Sequence, residues 1–99
     1  MTEDSLISGL PGEEFIREGL ADLRAGRRTI PALLAAIGLP RLRRAGLAAE
    51  ISAPPEPELQ LYRLLRAGEG DAYSRYNALL RRLISFEQAL DHAASKNRE

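Results

Sequence analysis

An apolar stripe between residues 72 and 90 constrains the fold of this chain more than any other feature of its sequence. Apolar residues recur there at intervals of four, three, four, three and four: Ala72, Tyr76, Leu79, Leu83, Phe86 and Leu90. This is the spacing of one face of an α-helix, and Asp71 stands before it as an N-cap. Tyr73, Leu80 and Ile84 widen the stripe to about 160°. The pattern predicts a long helix at about 71–92, either central in the monomer or half of a helical interface.

Four shorter helices are predicted ahead of the long one, and no strand. Their expected positions are about 13–25, from Thr29 to Gly38, from Pro40 to Gly46, and about 57–67. Capping residues, prolines in first turns and glycines after last turns mark their ends. No segment alternates apolar and polar residues in the manner of a strand, and the chain contains no valine. We therefore expect an all-α fold, a compact bundle of four to five short helices with the longest helix central.

The domain organisation follows from length and from one proline-rich segment. Ninety-nine residues, 44% of them hydrophobic and 28% charged, suffice for one core. Residues 52–57 contain three prolines and predict an extended internal linker. Neither half beside it is large enough to fold alone. We expect one helical domain over 1–99, with flexible tails at 1–10 and 93–99.

The residue types exclude several kinds of chemistry. There is no cysteine, and His92 is the only histidine, so thiolate, serine–histidine and zinc sites lack their residues. Paired glutamates stand at predicted helix starts, where the helix dipole accounts for them. No glycine-rich phosphate loop and no apolar run of about 20 residues is present. We expect a cytoplasmic, non-enzymatic protein with no cofactor, no metal and no membrane contact.

A second feature is the run of arginines between residues 24 and 44. It contains no acid and six arginines: Arg24, Arg27, Arg28, Arg41, Arg43 and Arg44. Three interpretations stay open, namely a solvated and partly paired face, a protein-binding surface, and a degenerate helix-turn-helix that binds nucleic acid. Arg27 and Arg28 follow a helix end, where the dipole favours cations. Arg41 and Arg44 are predicted on the outer face of a two-turn helix, with Arg43 at its inner margin.

Three polar residues of the long helix are also notable. Asn77 is a poor mid-helix residue unless its amide is engaged, either by a nearby backbone group or by a partner. Arg81 lies beside it on the helix and extends that polar patch. Glu87 falls near the centre of the apolar stripe, so either the helix has left the core there or the carboxylate meets a cation. We expect Arg43 to be that cation.

These observations favour a small interaction protein. We expect it to act through a protein partner as a regulatory or accessory subunit, or through self-association by the long helix. Nucleic-acid binding by residues 24–44 is the alternative, although zero net charge is unusual for such a protein. The candidate partner-binding residues are Arg41, Arg44, Arg27, Arg28, Asn77 and Arg81.

Overall fold

Six α-helices form the fold in a computed structural model that describes the backbone of residues 3–96 and the side chains of residues 5–95. They are α1 (Glu3–Ile7), α2 (Glu13–Arg24), α3 (Ile30–Ile37), α4 (Leu39–Arg44), α5 (Pro57–Ala67) and α6 (Ala72–Lys96). The described residues contain no strand, so the predicted all-α fold is confirmed. The long helix is α6, which continues through residues 93–96; the rest of the predicted C-terminal tail, 97–99, lies outside the described residues.

Helix α1 is absent from the sequence-based expectation. The predicted flexible tail over 1–10 is wrong for this segment, because Leu6 and Ile7 are buried in the hydrophobic core. The helix packs against α6. A five-residue helix is shorter than two turns and shows no periodicity, so burial of its two apolar side chains is what holds it in place. Residues 1 and 2 lie outside the described residues.

Helices α2 and α3 form the tightest pair, and Gly19 is the reason. A Cβ atom at this position would lie 2.2 Å from the carbonyl oxygen of Pro31 and 2.8 Å from the Cβ of Ala35. Only glycine leaves room for the two backbones to come this close. Five consecutive residues of α3, 32–36, are buried. The most deeply buried helix is therefore α3, while α6, the longest helix, contacts α1, α3, α4 and α5.

The segment between α4 and α5 carries the chain across the bundle. Leu47, Ala48 and Ile51 are buried and anchor its first part to the core. The prolines follow, and Pro57 opens α5 in its first turn. Helix α5 then packs on α3 and α6 through Leu61 and Leu65. The proline-rich linker thus connects two parts of one core.

Candidate interaction surface

The six arginines between residues 24 and 44 contact groups of the same chain. The Nε of Arg24 donates to Oε1 of Glu50 at 2.8 Å, and Nη1 of Arg28 donates to Oε1 of Gln60 at 3.2 Å. Both contacts join the α2–α3 region to the linker and α5. The charges at this end of the segment therefore help to hold the fold together.

Asp22 is the centre of a compact polar cluster between α2 and α3. Its side chain is buried, with the residue 7% exposed. Arg27 donates from Nε and Nη2 to its Oδ1 at 3.0 and 2.8 Å, and the Thr29 hydroxyl donates to its Oδ2 at 2.5 Å. The Thr29 oxygen in turn accepts from the backbone N–H of Ala32, which confirms Thr29 as the N-cap of α3. Hydrogen bonds from Thr29 and then Arg27 hold the pKa of the Asp22 carboxyl below its usual value.

Two of the three arginines of α4, Arg41 and Arg43, point differently from the prediction. Arg41, expected on the outer face, is partly buried, and its Nη1 donates to Oδ2 of Asp91 on α6. Arg43, expected at the inner margin, is exposed and donates from Nη2 to the carbonyl of Ile51. Arg44 is exposed, as predicted. The helical wheel fixes where a side chain leaves the backbone, but these long side chains then bend toward the nearest acceptor, which explains the two errors.

Glu87 has a different partner from the one predicted. Phe86 and Leu90 are fully buried on either side of it, so α6 has not left the core at this point. Burial raises the pKa of the Glu87 carboxyl, and the positive charge of Arg41 partly offsets that rise. The cation near Glu87 is therefore Arg41, and the predicted pair of Glu87 with Arg43 is wrong, because Arg43 is directed to the linker.

The outer face of α6 carries two of the exposed large hydrophobic side chains among the described residues. We use this name for Tyr73, Asn77, Leu80 and Ile84, which fall within about 60° on the helix because successive residues are 100° apart. Tyr73 is 66% exposed and Ile84 is 49% exposed, while Leu80 and Asn77 are half-buried. Exposed apolar side chains that share one face, with a polar rim, are typical of protein-binding surfaces.

Asn77 on this surface and Arg81 beside it have no side-chain partners among the described residues. Neither the amide of Asn77 nor the guanidinium of the exposed Arg81 makes a hydrogen bond or ion pair within residues 3–96. The interpretation that Asn77 binds a nearby backbone group is therefore wrong. The role of Asn77 and Arg81 as partner-binding residues stays a prediction.

Helix α5 borders the outer face of α6 on one side. The rings of Tyr62 and Tyr76 meet edge to face, with centroids 5.6 Å apart. Glu58, one turn before Tyr62, lies close enough that its charge adds to the effect of burial in raising the pKa of Tyr76. Leu59 is exposed beside them. Glu58 therefore lies on the α5 side of this surface, and Arg81 lies on its other side.

Other kinds of site find no support in the part of the chain that the structure describes. No cluster of three or more histidine or carboxylate side chains there could hold a metal ion. None of the helices in residues 3–96 combines the length and apolar character that a membrane crossing requires. Comparison with protein-family models, curated proteins and solved structures gives no match.

Proposed function

We propose that this protein is a non-enzymatic interaction protein that binds a protein partner through the outer face of α6. The observation that carries the proposal is the exposure of Tyr73 and Ile84 on one side of a helix whose other side is buried in the core. Full burial of a large apolar side chain contributes about 1.5–3 kcal/mol, and Ile84 and Tyr73, which are 49% and 66% exposed, leave roughly half of that contribution unrealised. A partner that covers them would gain that contribution on binding.

The unengaged polar groups beside these residues support the same assignment. Asn77 lies within α6 without a side-chain hydrogen bond among the described residues that would offset its poor helix propensity. Arg81 pairs with no acid among the described residues, whereas Arg24, Arg27 and Arg41 each have one. Tyrosine and arginine are the residue types enriched at interfaces, and a polar rim around an apolar centre is their usual arrangement.

The arginine segment has a supporting role in this proposal. Arg41 ties α4 to the C-terminal part of α6, and Arg28 ties the start of α3 to α5. These contacts connect the two helices that border the outer face to the rest of the bundle.

A pair of neighbouring substitutions tests the proposal. Ile84→Arg places a charge on the outer face, while Ser85→Arg adds the same charge at the next residue, which is exposed and turned about 100° away. Tagged wild type, Ile84→Arg and Ser85→Arg are each used to capture proteins from a lysate of the cells that produce this chain. An untagged copy of the chain is added to the lysate, so that capture of a second copy is also detected. We expect a protein retained by wild type and Ser85→Arg to be lost with Ile84→Arg. Equal capture by all three would refute the proposed surface.

A further inference from the structure

The outer face of α6 has the residue pattern of a short parallel coiled coil. Tyr73, Asn77, Leu80 and Ile84 are spaced four, three and four residues apart, which is the alternation of d and a positions in a heptad. This assignment gives d to Tyr73 and Leu80, and a to Asn77 and Ile84. Leucine at d, a β-branched residue at a, and one asparagine at an a position together favour two parallel strands in one register.

The row of a and d residues, which we call the seam, ends at Ile84. The next d and a positions are Glu87 and Asp91, and the side chain of Arg41 from α4 reaches this part of α6. Two acidic residues facing their own copies would repel each other, so the pattern stops at Ile84. The seam from Tyr73 to Ile84 is about 17 Å long at 1.5 Å per residue.

The edges of the seam carry opposite charges in positions that suit two parallel copies. Arg81 occupies an e position, and Tyr76 occupies the g position five residues before it. In a parallel pair each g position faces the e position five residues on in the other helix. Arg81 of one copy therefore faces Tyr76 of the other, where Glu58 and the edge of Tyr62 also lie. A two-fold axis along α6 repeats this contact on both sides, whereas an antiparallel pair would bring the Arg81 edges together.

We propose that the partner is a second copy of this chain, bound in parallel through Tyr73, Asn77, Leu80 and Ile84, with Arg81 of each copy against Glu58 of the other. This inference rests on the proposed function, since it names the partner of the same surface. Two heptads make a small interface, so the dissociation constant should be on the order of 1–100 µM. The asparagine amides would meet across the axis and fix the register.

The absence of cysteine from the chain permits a direct test of orientation. Asn77→Cys and Ile84→Cys each place one thiol at an a position, where two parallel copies bring the same residue within disulfide distance. With an added oxidant, both variants should form dimers, and Ser85→Cys on the adjacent exposed side should not. An antiparallel pair can bring only one of the two positions to its axis. Crosslinking of one variant alone, or equal crosslinking of the control, would overturn the parallel arrangement.

Analytical sedimentation of the purified protein, which measures the dimer dissociation constant, tests the proposed contact between Arg81 and Glu58. Arg81→Glu and Glu58→Arg should each weaken dimerisation about tenfold, because each dimer has two such contacts and like charges replace them. The double variant should recover most of the affinity, and Arg63→Glu, an exposed reversal on the side of α5 near Gln60 and Leu64, should have no effect.

The two proposals fail in distinguishable ways. The protein could be a monomer at every concentration and still capture another protein, with Ile84→Arg abolishing that capture. This result would refute dimerisation but keep the outer face of α6 as the interface. A monomer with no capture sensitive to Ile84→Arg would overturn both.

Discussion

Replacement of Gly19 by alanine should destabilise the protein, although alanine is the better helix former. In an exposed helix this change would gain about 1 kcal/mol. Here the new Cβ would lie 2.2 Å from the carbonyl oxygen of Pro31, whereas such a contact needs about 3.3 Å. Helices α2 and α3 would have to separate by about 1 Å, because a backbone carbonyl cannot rotate away as a side chain can.

The size of the effect follows from the two opposing contributions. Overpacking costs about 1–3 kcal/mol, and the upper end applies because backbone is the obstacle. After the gain in propensity, we expect the free energy of unfolding to fall by about 2 kcal/mol, which lowers Tm by roughly 10 °C in a domain of this size. Urea unfolding followed by circular dichroism measures it. Ala21→Gly at an exposed site of α2 measures the propensity alone, with an expected loss of about 1 kcal/mol. A Gly19→Ala variant more stable than wild type would refute the close contact.

Three further predictions concern the charged groups. Asp22→Asn should lower Tm at pH 7. Because folding lowers the pKa of the Asp22 carboxyl, its contribution to stability is present above about pH 3.9 and is lost as pH falls through the folded pKa. The variant should therefore lose less stability in acid than the wild type. Glu87→Gln should raise Tm at pH 7; its carboxyl has a raised pKa, so the ionised form disfavours folding, and the gain should vanish below about pH 4. Thermal unfolding at pH 3 and pH 7 checks both. In a gel-retardation assay, the protein should not bind random duplex DNA even at low salt. Binding that weakens steeply with salt would instead support the alternative that residues 24–44 bind nucleic acid.

The positions of five helices could be predicted because their signals are local. Thr29 and Asp71 stand before α3 and α6 as expected, and Asp71 accepts from the backbone N–H of Tyr73 at 3.0 Å. These signals depend on neighbours within one or two turns, which the sequence shows directly. Helix α1 could not be predicted in this way, because Leu6 and Ile7 are buried by residues far along the chain.

In the candidate site, too, the features set by local helix geometry could be predicted, whereas contacts between distant residues could not. The outer face of α6 was visible as the extra width of the apolar stripe, and Asn77 and Arg81 were recognised beside it, since helical geometry alone places them together. Arg41 and Asp91 are 50 residues apart in the sequence, so no local sequence pattern predicts their contact. The role of Asp22 was also missed, although its spacing of five from Arg27 and seven from Thr29 could have indicated a cluster at the helix junction.

The close pairing of α2 with α3 also has a consequence for the order in which the chain folds. The two helices are consecutive, and the polar cluster of Asp22, Arg27 and Thr29 closes the turn between them. Contacts between neighbouring segments form early because little chain entropy is lost in closing a short loop. The contact of Arg41 with Asp91 and the docking of α6 close much longer loops. We therefore expect the α2–α3 hairpin to be structured in the transition state, with the contacts of α6 to α1, α3 and α4 formed afterwards.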